Sequence, residues 1–422
     1  MTDLNGDTFG DIVAGNSLST NKVYLNPGSG DFSTTVPLDI GNDADDTRSV
    51  AIDEIGSLRV IVVGNAGQTN KLYLVPERDS NFPSIQGSHI GTETDDTRSA
   101  AIADVNADTY KDIIVSNAGM RPKVYLNPGG TALFRQVTPF VVGAGAAGGT
   151  DLDDAAFSVG LGDLDSNGFL DVIAGHQMYL NPGGASAGDF TNAEPQSFAQ
   201  LHDDVKSVGV ADLDGDDDQD VVFSTSHAIL IYLNPTGSMS RFFRGSTIFP
   251  SVNPIALFSG YESVSPQSIA LADLNGDGRA DLVVGGASGN ENHFYINPGD
   301  GNFGAAVKQT FWGRELNTRS VVVADLNADN IMDIIAGNDG AANVAYMGSL
   351  SGPNYSVGPS EASAIHLGTE LDATYAIGVG DMDMDGIVDV ISGNKRQTNK
   401  VRKGQRRGRR SLGWPLKSGW RC

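Results

Sequence analysis

A nine-residue acidic loop, Asp-x-[Asp/Asn]-x-[Asp/Asn]-x-x-x-Asp, recurs seven times in this 422-residue chain, about every fifty to sixty residues. The copies run Asp3/Asn5/Asp7/Asp11, Asp104/Asn106/Asp108/Asp112, Asp163/Asp165/Asn167/Asp171 and Asp212/Asp214/Asp216/Asp220. Three more are Asp273/Asn275/Asp277/Asp281, Asp325/Asn327/Asp329/Asp333 and Asp381/Asp383/Asp385/Asp389. A regular period of this length requires a stacked or closed array of equal units. An eighth copy, Asp53 to Arg59, is two residues shorter and sets Arg59 where an acid belongs, so no metal is expected there.

Each loop lies between two apolar runs rich in β-branched residues, such as Ser320–Ala324 before it and Asp333–Asn338 after it. Runs of four to six residues with this composition read as buried strands, too short for helices. A third strand ends in Tyr-Leu-Asn-Pro-Gly at Tyr24, Tyr125 and Tyr179, where Pro and Gly supply the turn. A weaker fourth strand is expected at Phe32 to Leu38 or Phe303 to Gln309. Four-stranded antiparallel units repeated radially make an all-β β-propeller.

With these loops and flanking strands, the chain resembles the FG-GAP/VCBS repeat family, whose best-known members are the integrin alpha-chain propellers. The resemblance covers roughly residues 1 to 400. The chain begins at its first loop and its eighth unit breaks off after a second strand, so the simplest closure joins the two partial units into seven blades. An eight-bladed ring is the alternative. The expected domains are a propeller over 1–394 and a basic, disordered tail over 395–422, where eleven Lys or Arg occur without an acid.

Four oxygen side chains at fixed offsets in seven places exceed what Asx turns alone require, and they suit a hard cation. Calcium is expected rather than magnesium, because the cage is all-protein and flexible. By the resemblance, backbone carbonyls at loop position seven complete each shell, from Phe9, Tyr110, Phe169, Asp218, Arg279, Ile331 and Ile387. The loop from Asp212, with Asp at every ligand position, is expected to bind most tightly. The metal's role is structural: like charges crowded into nine residues repel until a cation fills the loop.

The opposite face of a propeller carries the other loops, and there Asp46-Thr47-Arg48, Asp96-Thr97-Arg98 and Asn317-Thr318-Arg319 recur. By the resemblance, this is the ligand face. Arg48, Arg98 and Arg319 are the candidate contacts to a protein or glycan, against the plainer reading that each pairs with a neighbouring Asp.

The net charge of −24 argues against nucleic-acid partners and anionic membrane surfaces. No apolar run reaches the length of a membrane-inserting helix, and one Cys forms no internal bridge. Loops of this affinity class suit extracellular calcium, which places the chain outside the cell or on its surface, as a monomer or part of a larger surface protein. The six His are scattered, and no nucleophile elbow, phosphate loop or zinc spacing occurs. A non-enzymatic adhesion or binding module is therefore expected. The alternatives are a lectin, or a polysaccharide lyase-like enzyme, which needs a cluster of Lys, Arg, His or Tyr at a central cleft.

Overall fold

The computed structural model describes residues 2–421 except 33–34, 56–57, 77–81, 130–133, 135–136, 146–157, 202–203, 236–248, 250–251, 258–264, 287–290, 312–315, 353, 358–363, 369–370, 396 and 405–418. The described residues form strands, turns and two short 3-10 segments, Phe82–Ser84 and Gly184–Ser186. The strands make eight antiparallel sheets in a ring, and a small extra hairpin (Gly348–Ser351 with Asn354–Val357) sits inside the seventh. The molecule is an all-β, eight-bladed propeller.

Seven sheets have four strands; the sixth, for example, orders Pro266–Ala272, Asp281–Gly286, Asn292–Tyr295 and Gln309–Phe311 from inside to outside. The first has three described strands, Ile12–Ala14, Lys22–Tyr24 and Leu38–Asp39, plus a single Thr2–Asp11 bridge at its inner edge. Fourth strands are shorter and begin later than the sequence pattern implies.

The expected seven-bladed closure is corrected. The eighth unit builds its own blade from Thr374–Gly380, Asp389–Asn394, Thr398–Arg402 and Gly419–Arg421, and borrows nothing from the first. The expected boundary at 394 is corrected with it. Composition suggests a loose basic tail, yet Lys400 pairs with Asp372 as Lys71 pairs with Asp43 and Asp45. Arg402 is buried and donates to the Leu367 carbonyl at 2.9 Å. Paired cations fit the third-strand position, so the blade continues through them.

Second strands explain the ring. Ile113, Ile114 and Val115 are all fully buried, because successive side chains face opposite neighbours. Ile113 and Val115 pack towards blade two, Ile114 towards blade four. The same division repeats around the molecule and gives one apolar cluster per blade junction, eight in all. The eighth closes the ring: Ile12, Tyr24 and Phe32 of blade one pack on Met382, Ile391 and Val401 of blade eight. Gly64 and Gly285, next to last in their second strands, are glycine because a Cβ there would come within 2.7 and 2.9 Å of Thr97 and Thr318 methyls on the next blade.

A polar stitch runs beside the apolar one. The Asn of the Asn-Pro turn after the third strand donates through Nδ2 to a carbonyl of the preceding blade: Asn26 to Met382, Asn181 to Val105, Asn234 to Leu164 and Asn297 to Leu213. Asn127 donates only to Lys111 of its own blade, since blade two has no acidic loop to offer the carbonyl. Asn297→Ala is therefore expected to cost about 1 kcal/mol more than Asn127→Ala, the net value of one buried hydrogen bond, as read by denaturant unfolding. Equal costs would show that the stitch contributes nothing.

Candidate metal loops and the opposite rim

The seven acidic loops share one backbone path. Positions four and six are left-handed in every copy, including Ala107, Ser166, Ala328 and Met384 at position four and Thr8, Thr109 and Asn330 at position six. Side chains hold this conformation, which is unfavourable for residues with a Cβ. The position-one Asp accepts the position-six amide, as Asp3 does from Thr8 at 2.7 Å and Asp325 from Asn330 at 2.7 Å. The position-five side chain accepts the position-seven amide in all seven loops, from Phe9, Tyr110, Phe169, Asp218, Arg279, Ile331 and Ile387.

The position-nine Asp is buried and bound on both oxygens. Asp281 accepts the Leu274 amide at 2.8 Å and the Asn297 amide at 2.7 Å, tying the loop to the end of the third strand. Asp11, Asp112, Asp171, Asp220, Asp333 and Asp389 repeat the arrangement. Desolvation raises their pKa: to about 6 for Asp11, Asp112, Asp281 and Asp389, to about 7 for Asp220 and Asp333, and well above the ordinary value for Asp171.

Position three differs. Asn5, Asn106 and Asn275 are engaged by the Asp at position five. In three other loops the position-three oxygen, Asp214 Oδ1, Asn327 Oδ1 or Asp383 Oδ1, is buried without a hydrogen-bond partner. Carboxylate oxygens of Asp163/Asp165/Asp171, Asp212/Asp214/Asp220 and Asp381/Asp383/Asp385 lie within 4.8 Å of one another, about the span of a calcium shell.

The acid sets differ from loop to loop, because Asn at position three leaves fewer carboxylates in the loops of blades one, three, six and seven. Asp7, Asp108, Asp216 and Asp329, like Asp277, belong to no such three-acid set among the described residues. The sets also leave out Asp3, Asp104, Asp273 and Asp325, the position-one acids of the same loops in blades one, three, six and seven. No set contains both position five and position nine. Asp7, Asp108, Asp216 and Asp329 turn Oδ1 to the position-seven amide at 2.9, 2.8, 3.0 and 3.0 Å, while the position-nine carboxylate is fixed inside the blade. Asp7 and Asp108 also accept Nδ2 of Asn5 and Asn106 on their second oxygen, each at 3.0 Å. Asp7, Asp108 and Asp216 are exposed, and Asp329 is half-buried. Only in blade eight does position five, Asp385, join the cluster.

Loop eight contains a cation of its own: the Lys403 ammonium pairs with Asp383 and donates to the Ser29 carbonyl of blade one. At the degenerate copy a continuous hairpin, Thr47–Ile55 with Leu58–Asn65, replaces the loop, and Arg59 pairs with Glu54.

Family-model matches to the FG-GAP-like repeat cover residues 104–174, 212–284 and 273–336. The chain carries FG-GAP-like repeats. No curated protein matches. Among solved structures, Sqt1 from Chaetomium thermophilum aligns at TM-score 0.55 and 12% identity over 90% of this chain and 89% of that one. BBS1N, solved with ARL6DN, aligns at 0.49 and 10% identity over 87% and 94%, and the WD40 β-propeller domain of Doa1 at 0.45 and 12% over 83% and 90%. At these identities the likeness concerns fold alone.

Opposite the repeat loops, the recurrent Thr and Asn prove to be internal. Thr47, Thr97, Thr318 and Thr374 donate to Asn65, Asn117, Asn338 and Asn394, and those Asn brace the next turn. The three candidate Arg stay partly exposed. Arg48 pairs with Asp46 and Arg98 with Asp96. Arg319 pairs with Asp339, donates to Gln267 of blade six at 3.1 Å and lies 5.5 Å over the Tyr375 ring of blade eight. Sequence reading missed Tyr375 and Lys395, whose ammonium lies 4.8 Å from the same ring. The register gives them away: Tyr375 follows Thr374 just as Arg319 follows Thr318.

The raised position-nine carboxylates favour the folded protein when protonated. Their stabilising effect is complete below the unfolded pKa of about 4 and is lost as pH rises through 6 to 7. In chelator, melting temperature is therefore expected to rise as pH is lowered from about 8 to about 5. A flat or inverted profile would show that these carboxylates do not strain the fold.

Proposed function

We propose that this propeller is a non-enzymatic, calcium-stabilised binding module, acting outside the cell or on its surface, that engages its ligand on the face opposite the acidic loops. The observation that supports calcium is the set of buried, unpartnered oxygens at loop position three, Asp214 Oδ1, Asn327 Oδ1 and Asp383 Oδ1. A buried acceptor without a donor costs free energy, and a cation at the loop centre removes that cost. The donors are all oxygen, which suits calcium.

Asp and Asn at positions one, three and nine would hold the ion, with the position-seven carbonyls. Where position five is Asp it would add its second carboxylate oxygen, which in blades one, three and six requires release of the Asn side chain bonded to it. The bound cation supplies charge neutralisation and no chemistry. The chain's own residues do the rest: position-one and position-five side chains hold the two left-handed residues in place, and the position-nine Asp fixes the loop to its blade. Loop eight is the weakest site in this reading, because Lys403 already neutralises Asp383.

The face opposite the loops carries the recurrent, partly exposed Arg48, Arg98 and Arg319, which favours ligand binding there. A lyase-like enzyme is the weaker reading. Burial pushes the His293 pKa down to about 3, which removes it from acid–base work at neutral pH. A cleft of about 420 Å³ beside the loop from Asp163 is lined by Asp165, Asn167 and Glu194, with no Lys, Arg or His to neutralise a substrate carboxylate.

Calcium at a hundredfold excess over its dissociation constant should add about 2.7 kcal/mol per site, seen as a large fall in melting temperature on chelation. Asp277→Ala is expected to cost one ion by elemental analysis and some stability, while Asp53→Ala leaves the ion count unchanged. An unchanged melt in chelator, or a metal-free protein in millimolar calcium, would remove calcium from the proposal.

A further inference from the structure

The inner strands of six blades carry the same β-bulge. In blade two Thr47 pairs with Asn65 and Ser49 with Gly64, so Arg48 is the extra residue. The register shifts identically around Arg98, Lys206, Gln267, Arg319 and Tyr375. A bulge re-aims one side chain out of the pleat. These inner strands lie side by side, as the bonds donated by the Ala100, Val321 and Ile377 amides to the Oγ of Ser49, Ser268 and Ser320 show. The bulged residues therefore form one tier at one mouth of the central channel. Four of the six are cations, each paired with an Asp: Arg48 with Asp46, Arg98 with Asp96, Lys206 with Asp204 and Arg319 with Asp339.

Two further features distinguish this tier from blade-locking alone. Immediately before the Thr of the bulges in blades two, three and seven, Asp46 Oδ1, Asp96 Oδ1 and Asn317 Oδ1 are buried acceptors without a donor. At blade eight the pattern inverts: Tyr375 replaces Arg, and Lys395 stands where blade seven has Asp339. Lys395 is exposed, and its ammonium contacts Tyr375 Oη at 3.2 Å, with no carboxylate partner among the described residues. Gln267, Arg319, Tyr375 and Lys395 thus make a continuous corner across blades six to eight, with cations beside a 45% exposed ring.

We infer that this rim binds an acidic oligosaccharide, with Arg319 and Lys395 taking its carboxylate or sulfate, Tyr375 packing on a sugar ring, and the unpartnered acceptors receiving hydroxyl donors. Guanidinium and ammonium groups recognise such anions, and hydroxyl-rich rings supply the donors that a simple anion lacks. The inference rests on the ligand-binding reading and specifies its ligand class.

The test uses the full chain, folded in calcium, and measures its affinity for hyaluronan-derived oligosaccharides, heparin-derived oligosaccharides and neutral dextran. One or both acidic glycans should bind in a salt-sensitive way, and dextran should not. Hyaluronan carries carboxylates without sulfate, so its binding shows that a carboxylate suffices, whereas binding of heparin alone shows that sulfate is required. Arg319→Gln, Lys395→Gln and Tyr375→Ala should each weaken binding about tenfold. Lys111→Gln, a cation in the third blade's acidic loop, should leave it unchanged. Melting temperatures of the same variants separate the two roles: lost stability with unchanged affinity would reduce the corner to a blade clamp and overturn the inference. Absence of binding to either acidic glycan overturns it as well. Binding of a neutral glycan or a protein instead would overturn it too, while leaving the broader binding-module reading standing.

Discussion

The buried carboxylate at loop position nine is the interaction on which the other regularities depend. Asp281 begins a second strand, caps the loop through the Leu274 amide and fixes the third strand through the Asn297 amide. That second bond places the Asn whose own amide group reaches the preceding blade. One side chain thus couples loop shape, strand order and the blade junction. Hydrogen bonds to two amides only partly offset its desolvation, which is why its pKa remains raised. A cation at the loop centre acts on the same imbalance from the other side.

This coupling also explains why the loops hold left-handed residues that sequence would not choose. Ala107, Ala328 and Met384 occupy position four at φ near +55 to +58°. The loop path is over-determined by the position-one and position-five side chains, so Gly is favourable there without being required. The leucine or equivalent at position two, such as Leu274 or Leu326, is sealed at the blade junction and anchors the inner side of each loop.

Much of this was legible in the sequence, because the repeat and the strand period state it many times. The loops, the three main strands of each unit and the propeller class follow from pattern alone. Blade count did not. It turned on Lys400 and Arg402, which read as solvated tail residues but are paired and buried in a third strand. Pairing is a tertiary property, and composition does not reveal it. The loop ligands were legible as a set of four, but not their division: spacing treats Asp7 and Asp11 alike, whereas the backbone sends one to a turn amide and the other into the blade. The rim was half legible: Arg48, Arg98 and Arg319 stand out as repeats, whereas Tyr375 and Lys395 depart from the repeat and become visible only when register aligns them.

That departure bears on how a uniform ring acquires a specific site. Near-identical apolar junctions and repeated loops supply stiffness, and each blade is bound to keep the residues that pack its neighbours. Specificity then has to reside where a substitution does not disturb packing. The bulged position meets that condition: Thr374 beside it is buried and bound to Asn394, while Tyr375 projects from the pleat and is free to differ from Arg319, Gln267 or Lys206. Charge follows the same logic. The acidic loops carry much of the net negative charge, and at the bulge tier Arg, Lys and Gln are accommodated without a change of fold. A propeller of this kind separates the residues that hold it together from those that vary at its mouth, one position apart along the same strand.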